Sequence, residues 1–358
     1  MMNPLWMKQV MAVLRLEIRK SFFARRGLWI YLLAAIPLLI WGARAIQMQY
    51  KQELIRNNVS QGATREKLMS IKPGMTREQV RDVLPSPSFR SSFRRRDGVR
   101  RERLTFSDGT LQINVLLDDD KVTRVLTDHG MADVTEDTVI FAAIFQFFYM
   151  RLAIFFGCMF VFMNLFRGEM LDRSLHYYFL APVRRDVLVI GKYLAGLVAT
   201  VIVFSLSTFV QWSMLLLNFA PQGRAEYLDH GNGYAHLLAY LGVTALACLG
   251  YGSVFLAAGI VIRNPLVTAA TVLLWESING ILPATLRKIS VIYYLKSLCP
   301  VEVPMQKGVP APIAMLALNV DGATPVVAIV GLLALSAVVV FIATRRIKRM
   351  EINYSTDQ

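Results

Sequence analysis

The stretch that decides the fold reads RGEMLDRSLHYYFLAPVRRDVLVIGK and covers residues Arg167–Lys192. Long apolar runs lie on both sides, so it is a short polar break between two candidate membrane spans. It is too polar to cross a hydrocarbon core and too short to form a domain. A carboxylate, an aromatic-rich middle, a proline and a double arginine follow one another. The pattern predicts a short amphipathic helix, which needs a membrane surface or another protein to pack against.

The whole chain has the composition of a membrane protein. Of its 358 residues 55% are hydrophobic, whereas soluble domains have about 45–50% apolar residues. The apolar residues form runs that predict six transmembrane helices, at about residues 28–43, 138–166, 187–217, 234–262, 265–281 and 324–344. Lys and Arg residues in the short loops place both termini and the Arg167–Lys192 stretch on the cytoplasmic side.

Several function classes are excluded or disfavoured by what the sequence lacks. The formal net charge of +14 is attributed to cytoplasmic loops that hold the topology, so no nucleic-acid partner is expected. The three cysteines and four histidines show neither a disulfide framework nor the spacing of metal ligands. No glycine-rich phosphate loop precedes Lys192, and no paired catalytic residues occur. We therefore predict no catalytic residue, no metal and no cofactor on this chain.

The N-terminal residues 1–26 have the pattern of a basic amphipathic helix. Apolar side chains recur at helical spacing on one face, and basic side chains fall on another; the apolar set is Met7, Met11, Leu14, Ile18 and Phe22. This favours an interfacial helix lying on anionic lipid. The alternative is a plain cytosolic extension of the first transmembrane helix, which covers residues 27–44.

Residues 45–137 are polar and mixed in pattern, and they predict a small α+β extracytoplasmic domain in the first external loop. Thr76 and Gln79 have the spacing of a helix capping box. Two strands are predicted around the turn Ser107-Asp108-Gly109, and a third strand, KVTRVLT, after an acidic turn. The basic run FRSSFRRRDGVRRER is either a solvated sheet face or a contact for anionic lipid head groups or an acidic partner.

The remaining residues, 138–358, form the other five spans, with a cytoplasmic segment at 167–186 and a cytoplasmic tail at 345–358. Arg184, Arg185 and Lys192 are predicted to reach lipid phosphates at the base of the third span. From the residues alone, the 167–186 segment is either a docking surface for a partner or a loop packed on lipid. Within the spans, Glu276 and Asn279 line a translocation path or serve helix packing. Arg151 is expected to snorkel to the outer surface.

Glu169 and the following RSLHYYFLAPVRRDVLVIGKYLAG resemble the type-2 ABC transporter permeases. The matching positions are Glu169, Leu180, Pro182, Val183, Arg185, Gly191 and Lys192. The chain departs from the family at Arg173-Ser174, where members often have Gly-Thr. The resemblance implies a mostly α membrane protein of the bacterial cytoplasmic (inner) membrane, with six transmembrane helices and an N-terminal interfacial helix. It implies a permease subunit of an ATP-driven exporter.

The same resemblance implies the partners and the contact residues. ATP and magnesium are held by a separate ABC ATPase subunit, and a second permease completes a homodimer or heterodimer in contact with membrane lipids. The residues that couple to the ATPase are Glu169, Leu175, Tyr178, Phe179, Leu180, Pro182, Arg184 and Arg185. Residues 71–88 resemble the SmpA/OmlA-type outer-membrane lipoprotein fold, which serves protein contacts. The competing hypothesis is a non-transporting membrane anchor or sensor that uses the external domain to bind protein.

Overall fold

The computed structural model describes residues 4–23, 28–94, 100–128, 134–171, 184–262, 264–303 and 323–349. The chain divides into two compact units. The first, named the membrane unit, comprises Met1–Leu39, Thr138–Ser213 and Leu228–Gln358. The second, named the sheet unit, comprises Ile40–Asp137 and Met214–Tyr227.

Most of the described chain is helical. The helices are α1 Pro4–Phe23, α2 Leu28–Asn57, α3 Arg65–Ser70, α4 Arg77–Val83, α5 Val134–Ala143, α6 Phe155–Leu171, α7 Arg185–Leu217, α8 Pro221–Asp229, α9 Gly233–Val261, α10 Pro265–Ser277, α11 Ala284–Arg287, α12 Val291–Ser297 and α13 Pro325–Lys348. A π-helix, Ile144–Ile154, joins α5 to α6, and a 3₁₀ turn, Ile278–Ile281, follows α10. In the membrane unit, α9 packs against α6 and α13.

Five helical segments of the described chain are long and apolar enough to cross a membrane: Trp29–Asn57, Val134–Leu165, Arg185–Leu217, Gly233–Val261 and Pro325–Lys348. They coincide with five of the six predicted spans. The remaining prediction, residues 265–281, differs, because α10 is an α-helix for only 13 residues. Such a helix rises about 20 Å, less than the roughly 30 Å of a hydrocarbon core. Gly280 and Pro283 follow it and disfavour a continued helix.

Buried polar contacts join the first four spans inside the membrane unit. The Ser207 hydroxyl on α7 donates to the Ala34 carbonyl on α2 (2.6 Å). The Tyr149 hydroxyl donates to the Phe204 carbonyl (2.6 Å), and the hydroxyls of Thr208 and Thr244 are 3.1 Å apart. Interhelical hydrogen bonds of this kind hold helices together where lipid removes the hydrophobic driving force.

The sheet unit contains one antiparallel sheet in the order β1-β2-β3-β4, formed by Phe89–Arg94, Arg100–Ser107, Gln112–Asp118 and Lys121–Asp128. Alternate residues of β3 point into a core shared with α3 and α4. That core is formed by Leu68, Ile71, Val80, Leu84, Leu104, Phe106, Leu111, Ile113, Val115, Leu117 and Val122. The period-two alternation of the sequence therefore predicts the buried face.

The predicted local features of the sheet unit are confirmed, with one strand missed. Thr76 and Gln79 form both bonds of a capping box at the start of α4. The Ser107-Asp108-Gly109 turn joins β2 to β3, and β4 begins at Lys121. The sequence did not predict β1, because its arginines and serines lack the alternation of a half-buried strand.

The end of α2 is bonded to the sheet. The Ser107 hydroxyl donates to the Ile55 carbonyl on α2 (3.0 Å), and the Ser60 amide donates to the Ser107 carbonyl (2.8 Å). Nearer the start of the unit, Arg44 on α2 pairs with the buried carboxylate of Asp137 on α5. The two helices through which the chain enters and leaves the sheet unit are thus joined by an ion pair.

Candidate functional site: the base of the third span

The cytoplasmic end predicted for the third span, at the start of α7, is a meeting point of four helices of the membrane unit. Lys192 lies two turns into α7 and its side chain is fully buried. Its ammonium donates to the Glu17 carboxylate on α1 (2.8 Å) and to the Leu165 carbonyl on α6 (3.0 Å). One side chain therefore connects the N-terminal helix, the second span and the third span.

This geometry corrects the prediction for Lys192. We expected its ammonium to reach lipid phosphates, but the side chain has no exposed surface, and Glu17 is also buried, with 4% of its side chain exposed. A lysine is taken out of water only when its charge is compensated, and here a carboxylate and a carbonyl compensate it. No pattern in the sequence indicates that Glu17 is buried, because one carboxylate on a basic helix is normally a solvated side chain.

Close packing accompanies the ion pair. A Cβ atom added at Gly191 would lie 2.8 Å from Cγ1 of Val13 and 3.4 Å from the Val10 carbonyl on α1. Real Cβ atoms essentially never come within 3.0 Å of another atom, and the Val13 distance is shorter than that. The helices α1 and α7 are therefore in contact at a place that only glycine permits. Met7 and Met11, which were predicted for the lipid-facing surface of α1, are about half exposed, whereas Val10 and Glu17 are buried.

The first residues of α7 also contact the last span. Arg185 donates from Nη1 to the carbonyls of Ile347 and Lys348 at the end of α13, both at 3.3 Å. Carbonyls in the last turn of a helix can accept further bonds, and a cation is favourable at that end of the helix dipole. The Oδ2 atom of Asp186 lies 3.1 Å from Nη2 of Arg184 and 3.6 Å from Nζ of Lys348. The base of α7 is therefore bonded to α1, α6 and α13.

Only part of the predicted coupling segment lies within the described chain. Glu169 is in the last turns of α6, and Arg184 and Arg185 precede or begin α7. The other predicted coupling residues, Leu175, Tyr178, Phe179, Leu180 and Pro182, lie outside the described residues. Arg184 has 70% of its side chain exposed and can contact a partner or lipid. Contact of these residues with an ATPase stays a prediction.

A second polar site lies at the break in the predicted fifth span. Glu276, near the end of α10, is buried. Its carboxylate accepts from the Ser290 hydroxyl (2.6 Å) and from the amides of Val291 (3.0 Å) and Ile292 (2.9 Å) at the start of α12. A carboxylate at this position satisfies amides that have no partner within the helix. Glu276 therefore holds α10 to α12 across the break.

The π-helix of the second span contacts the same broken segment. Gln146 donates to the Val301 carbonyl (2.9 Å). Arg151, for which the sequence predicts snorkelling to the outer surface, is half-buried in this helix. Asn279 is not on an α-helical face with Glu276 but in the 3₁₀ turn, where its amide donates to the Arg287 carbonyl (3.3 Å). Buried charges beside irregular helices are typical of functional positions in membranes.

The described residues form no cluster of three or more His, Cys, Asp or Glu side chains that could bind a metal ion. A family model described as ABC-2 family transporter protein matches residues 11–351 of the chain. No curated protein and no solved structure matches it. The family match covers both the base of α7 and the segment that contains α10 and α12. The resemblance of residues 71–88 to SmpA/OmlA-type lipoproteins stays a prediction.

Proposed function

Because this chain belongs to the ABC-2 transporter family, we propose that it is the membrane-spanning permease subunit of an ATP-driven exporter. The observation that carries the coupling mechanism is the base of α7, where Lys192 and Arg185 connect three other helices. ATP and magnesium are bound by a separate ABC ATPase subunit. The chain itself transmits motion and forms part of the wall of the path.

The proposed mechanism is mechanical. Two permease chains and two ATPase chains assemble around a two-fold axis. When the ATPases close on ATP, they push the 167–186 segments. Since α7 begins directly after this segment, the push reaches α1 and α6 through Lys192 and the end of α13 through Arg185. The helices then move as bodies and switch the path from the inside to the outside.

The proposed topology has six crossings with both termini in the cytoplasm of a bacterial inner membrane. In it, α10 and α12 together form a broken fifth crossing, with Glu276 and Asn279 beside the translocation path. Broken helices occur in membranes where protein or a water-filled cavity satisfies the freed backbone groups. The bonds of Glu276 to α12 support this arrangement. The sheet unit is extracytoplasmic, and α1 lies at the inner membrane surface.

Co-assembly tests the function directly. The chain is purified in detergent together with each candidate ABC ATPase of the same organism, and ATP turnover is measured in nanodiscs with and without the chain. A stable complex with stimulated turnover is expected. If no ABC ATPase binds the intact chain, the permease assignment is wrong and the membrane anchor or sensor is favoured.

Labelling tests the topology separately. In a chain whose three native cysteines are replaced, Ser91→Cys on β1 is treated with a membrane-impermeant thiol reagent in intact spheroplasts. Labelling from outside is expected, because β1 belongs to the external sheet unit. Labelling only after lysis would contradict the topology without touching the family assignment.

A further inference from the structure

One face of the four-stranded sheet carries exposed side chains that the transport mechanism does not use. The opposite face packs into the core with α3 and α4. The exposed face, named the open sheet face, is defined by Phe89, Arg103, Leu116, Arg124 and Leu126. Phe89 is 60% and Leu126 48% exposed, while both arginines are exposed and Leu116 is half-buried.

The strand register arranges these side chains in two neighbouring rows. Each row crosses all four strands, and the rows are Phe89, Thr105, Asn114, Leu126 and Ser91, Arg103, Leu116, Arg124. In the first row the apolar side chains stand at both ends. In the second row two arginines flank a leucine, about 10 Å apart because they are two strands apart. The face therefore combines separated cations with an apolar contact area.

The charge on this face is not balanced by its described neighbours. Asp118 is the acidic side chain described there, and its two oxygens accept from Nε and Nη2 of Arg101 at 2.7 and 2.9 Å. No described carboxylate lies within ion-pair distance of Arg103 or Arg124. The buried Glu102 belongs to the core side, where it pairs with Arg77 and Arg90. Among the side chains that the structure describes on this side of the sheet, Arg103, Lys121 and Arg124 are thus cations without a described carboxylate partner.

We propose that the open sheet face binds an acidic polypeptide segment that also carries apolar side chains. Carboxylates of the partner would accept from Arg103 and Arg124 in the two-pronged geometry that Arg101 already forms with Asp118. Phe89, Leu116 and Leu126 supply the apolar contacts that give such interfaces much of their affinity. The inference does not depend on the transport assignment.

Two other occupants fit less well. A second copy of the same face would bring arginines against arginines, which is repulsive. An anionic membrane surface is usually recognised by clusters of four to eight basic residues, whereas the described side chains here include three cations without a carboxylate partner. The surface is also partly apolar at defined positions along the strands, which matches the regular side-chain spacing of a polypeptide.

The test uses the full chain in nanodiscs of zwitterionic lipid. The probe is a fluorescent peptide of alternating Glu and Leu, compared with a peptide that has Lys in place of Glu, and binding is followed by fluorescence anisotropy. We expect the Glu peptide alone to bind, and the double variant Arg103→Glu and Arg124→Glu to bind it at least tenfold more weakly. Arg103→Gln with Arg124→Gln provides a milder variant if charge reversal impairs folding, and should also weaken binding.

The matched control is Lys72→Glu with Arg81→Glu, which reverses two exposed charges of the sheet unit outside the open sheet face. This control should leave binding within about twofold. An equal loss in the control would show diffuse attraction and overturn the proposal, as would absence of binding or unchanged binding by both arginine variants. If anionic vesicles displaced the peptide and neutral vesicles did not, the open sheet face would bind lipid, and the proposed polypeptide partner would be wrong.

Discussion

At the scale of single residues, Lys192 is the most informative position in the membrane unit. Its ammonium pairs with the carboxylate of Glu17, and both side chains are buried. Removing one member of a buried pair leaves an uncompensated charge and typically costs about 3–5 kcal/mol. Replacing both members with apolar side chains removes that penalty, because neither charge is then buried.

We expect Lys192→Met to lower the melting temperature of the chain in detergent, measured by intrinsic tryptophan fluorescence. The double variant Lys192→Met with Glu17→Leu should recover most of the loss. Lys8→Met is the control, because Lys8 is an exposed cation of α1, the helix that carries Glu17. A melting temperature unchanged by Lys192→Met would contradict the buried ion pair.

Asp108 makes a pH-dependent contribution in the sheet unit. Burial raises its pKa, but bonds from the Thr110 amide and hydroxyl and from the Leu111 amide outweigh burial, so the pKa lies below the ordinary value. A lowered folded pKa stabilises the unit fully above the unfolded pKa of about 3.9. The contribution is lost as the pH falls through the lower folded pKa.

Asp108→Asn should therefore flatten the acid side of the stability profile. We expect the loss of melting temperature between pH 6 and pH 3, followed by circular dichroism of the full chain, to be smaller in this variant. The same replacement at Asp82, an exposed carboxylate of α4, should leave the profile unchanged. If the melting temperature of Asp108→Asn fell more steeply with decreasing pH than that of the unaltered chain, the derived direction of the Asp108 contribution would be wrong.

At the scale of elements, the contact between α1 and α7 depends on Gly191. A Cβ there would lie 2.8–2.9 Å from the Val13 side chain. Gly191→Ala should loosen α1, and hydrogen exchange of residues 6–18 should become faster. Val13→Ala in the same chain should restore part of the protection, because it removes Cγ1, the closest clashing atom, while Cβ stays. Gly242→Ala, where an added Cβ would meet no other heavy atom within 4 Å, is the control; unchanged exchange in Gly191→Ala would show that the contact is not steric.

The junction of α10 and α12, which forms the proposed fifth crossing, depends on Glu276 in the same way. Glu276→Ala leaves a hydroxyl and two amides without their acceptor, and each buried unsatisfied group costs about 1–3 kcal/mol. We expect a clear loss of thermal stability, with a smaller loss for Glu276→Gln, which keeps one acceptor oxygen. Glu302→Ala, an exposed carboxylate of the following segment, should have no effect. Equal stability of Glu276→Ala and the unaltered chain would sink the bridging role.

The sequence predicts those elements that depend on residues close together in the chain. The capping box at Thr76, the turn at Asp108 and five long apolar helices follow from spacing and composition within short windows. The Lys192–Glu17 pair joins residues far apart in sequence, and no periodicity indicates which lysine is buried. No amino-acid composition is characteristic of a π-helix, so the sequence does not indicate the one at Ile144–Ile154. The break after Ser277 was missed because 17 mostly apolar residues were read as one helix, although Gly280 and Pro283 disfavour it.

At the scale of the whole molecule, the chain consists of the membrane unit and the sheet unit, to which the proposals above give different roles. In the proposed mechanism, the contacts of the base of α7 with α1, α6 and α13 allow a push on one segment to move several helices. Within the sheet unit, the Ser107 hydroxyl bonds the sheet to the C-terminal end of α2. In the proposed arrangement, transport and partner binding occur on opposite sides of the membrane.

In the proposed mechanism, the ATPase acts on this chain through the segment between the second and third spans. The most direct measurement is the ATP turnover of the partner ATPase with the double variant Glu169→Ala and Arg185→Ala in nanodiscs, together with the amount of ATPase bound. Arg81→Ala in the sheet unit is the control. We predict at least a fivefold loss of stimulated turnover or of bound ATPase in the double variant alone. If a folded double variant bound the ATPase fully and stimulated its turnover fully, this segment would not be the place where the ATPase acts.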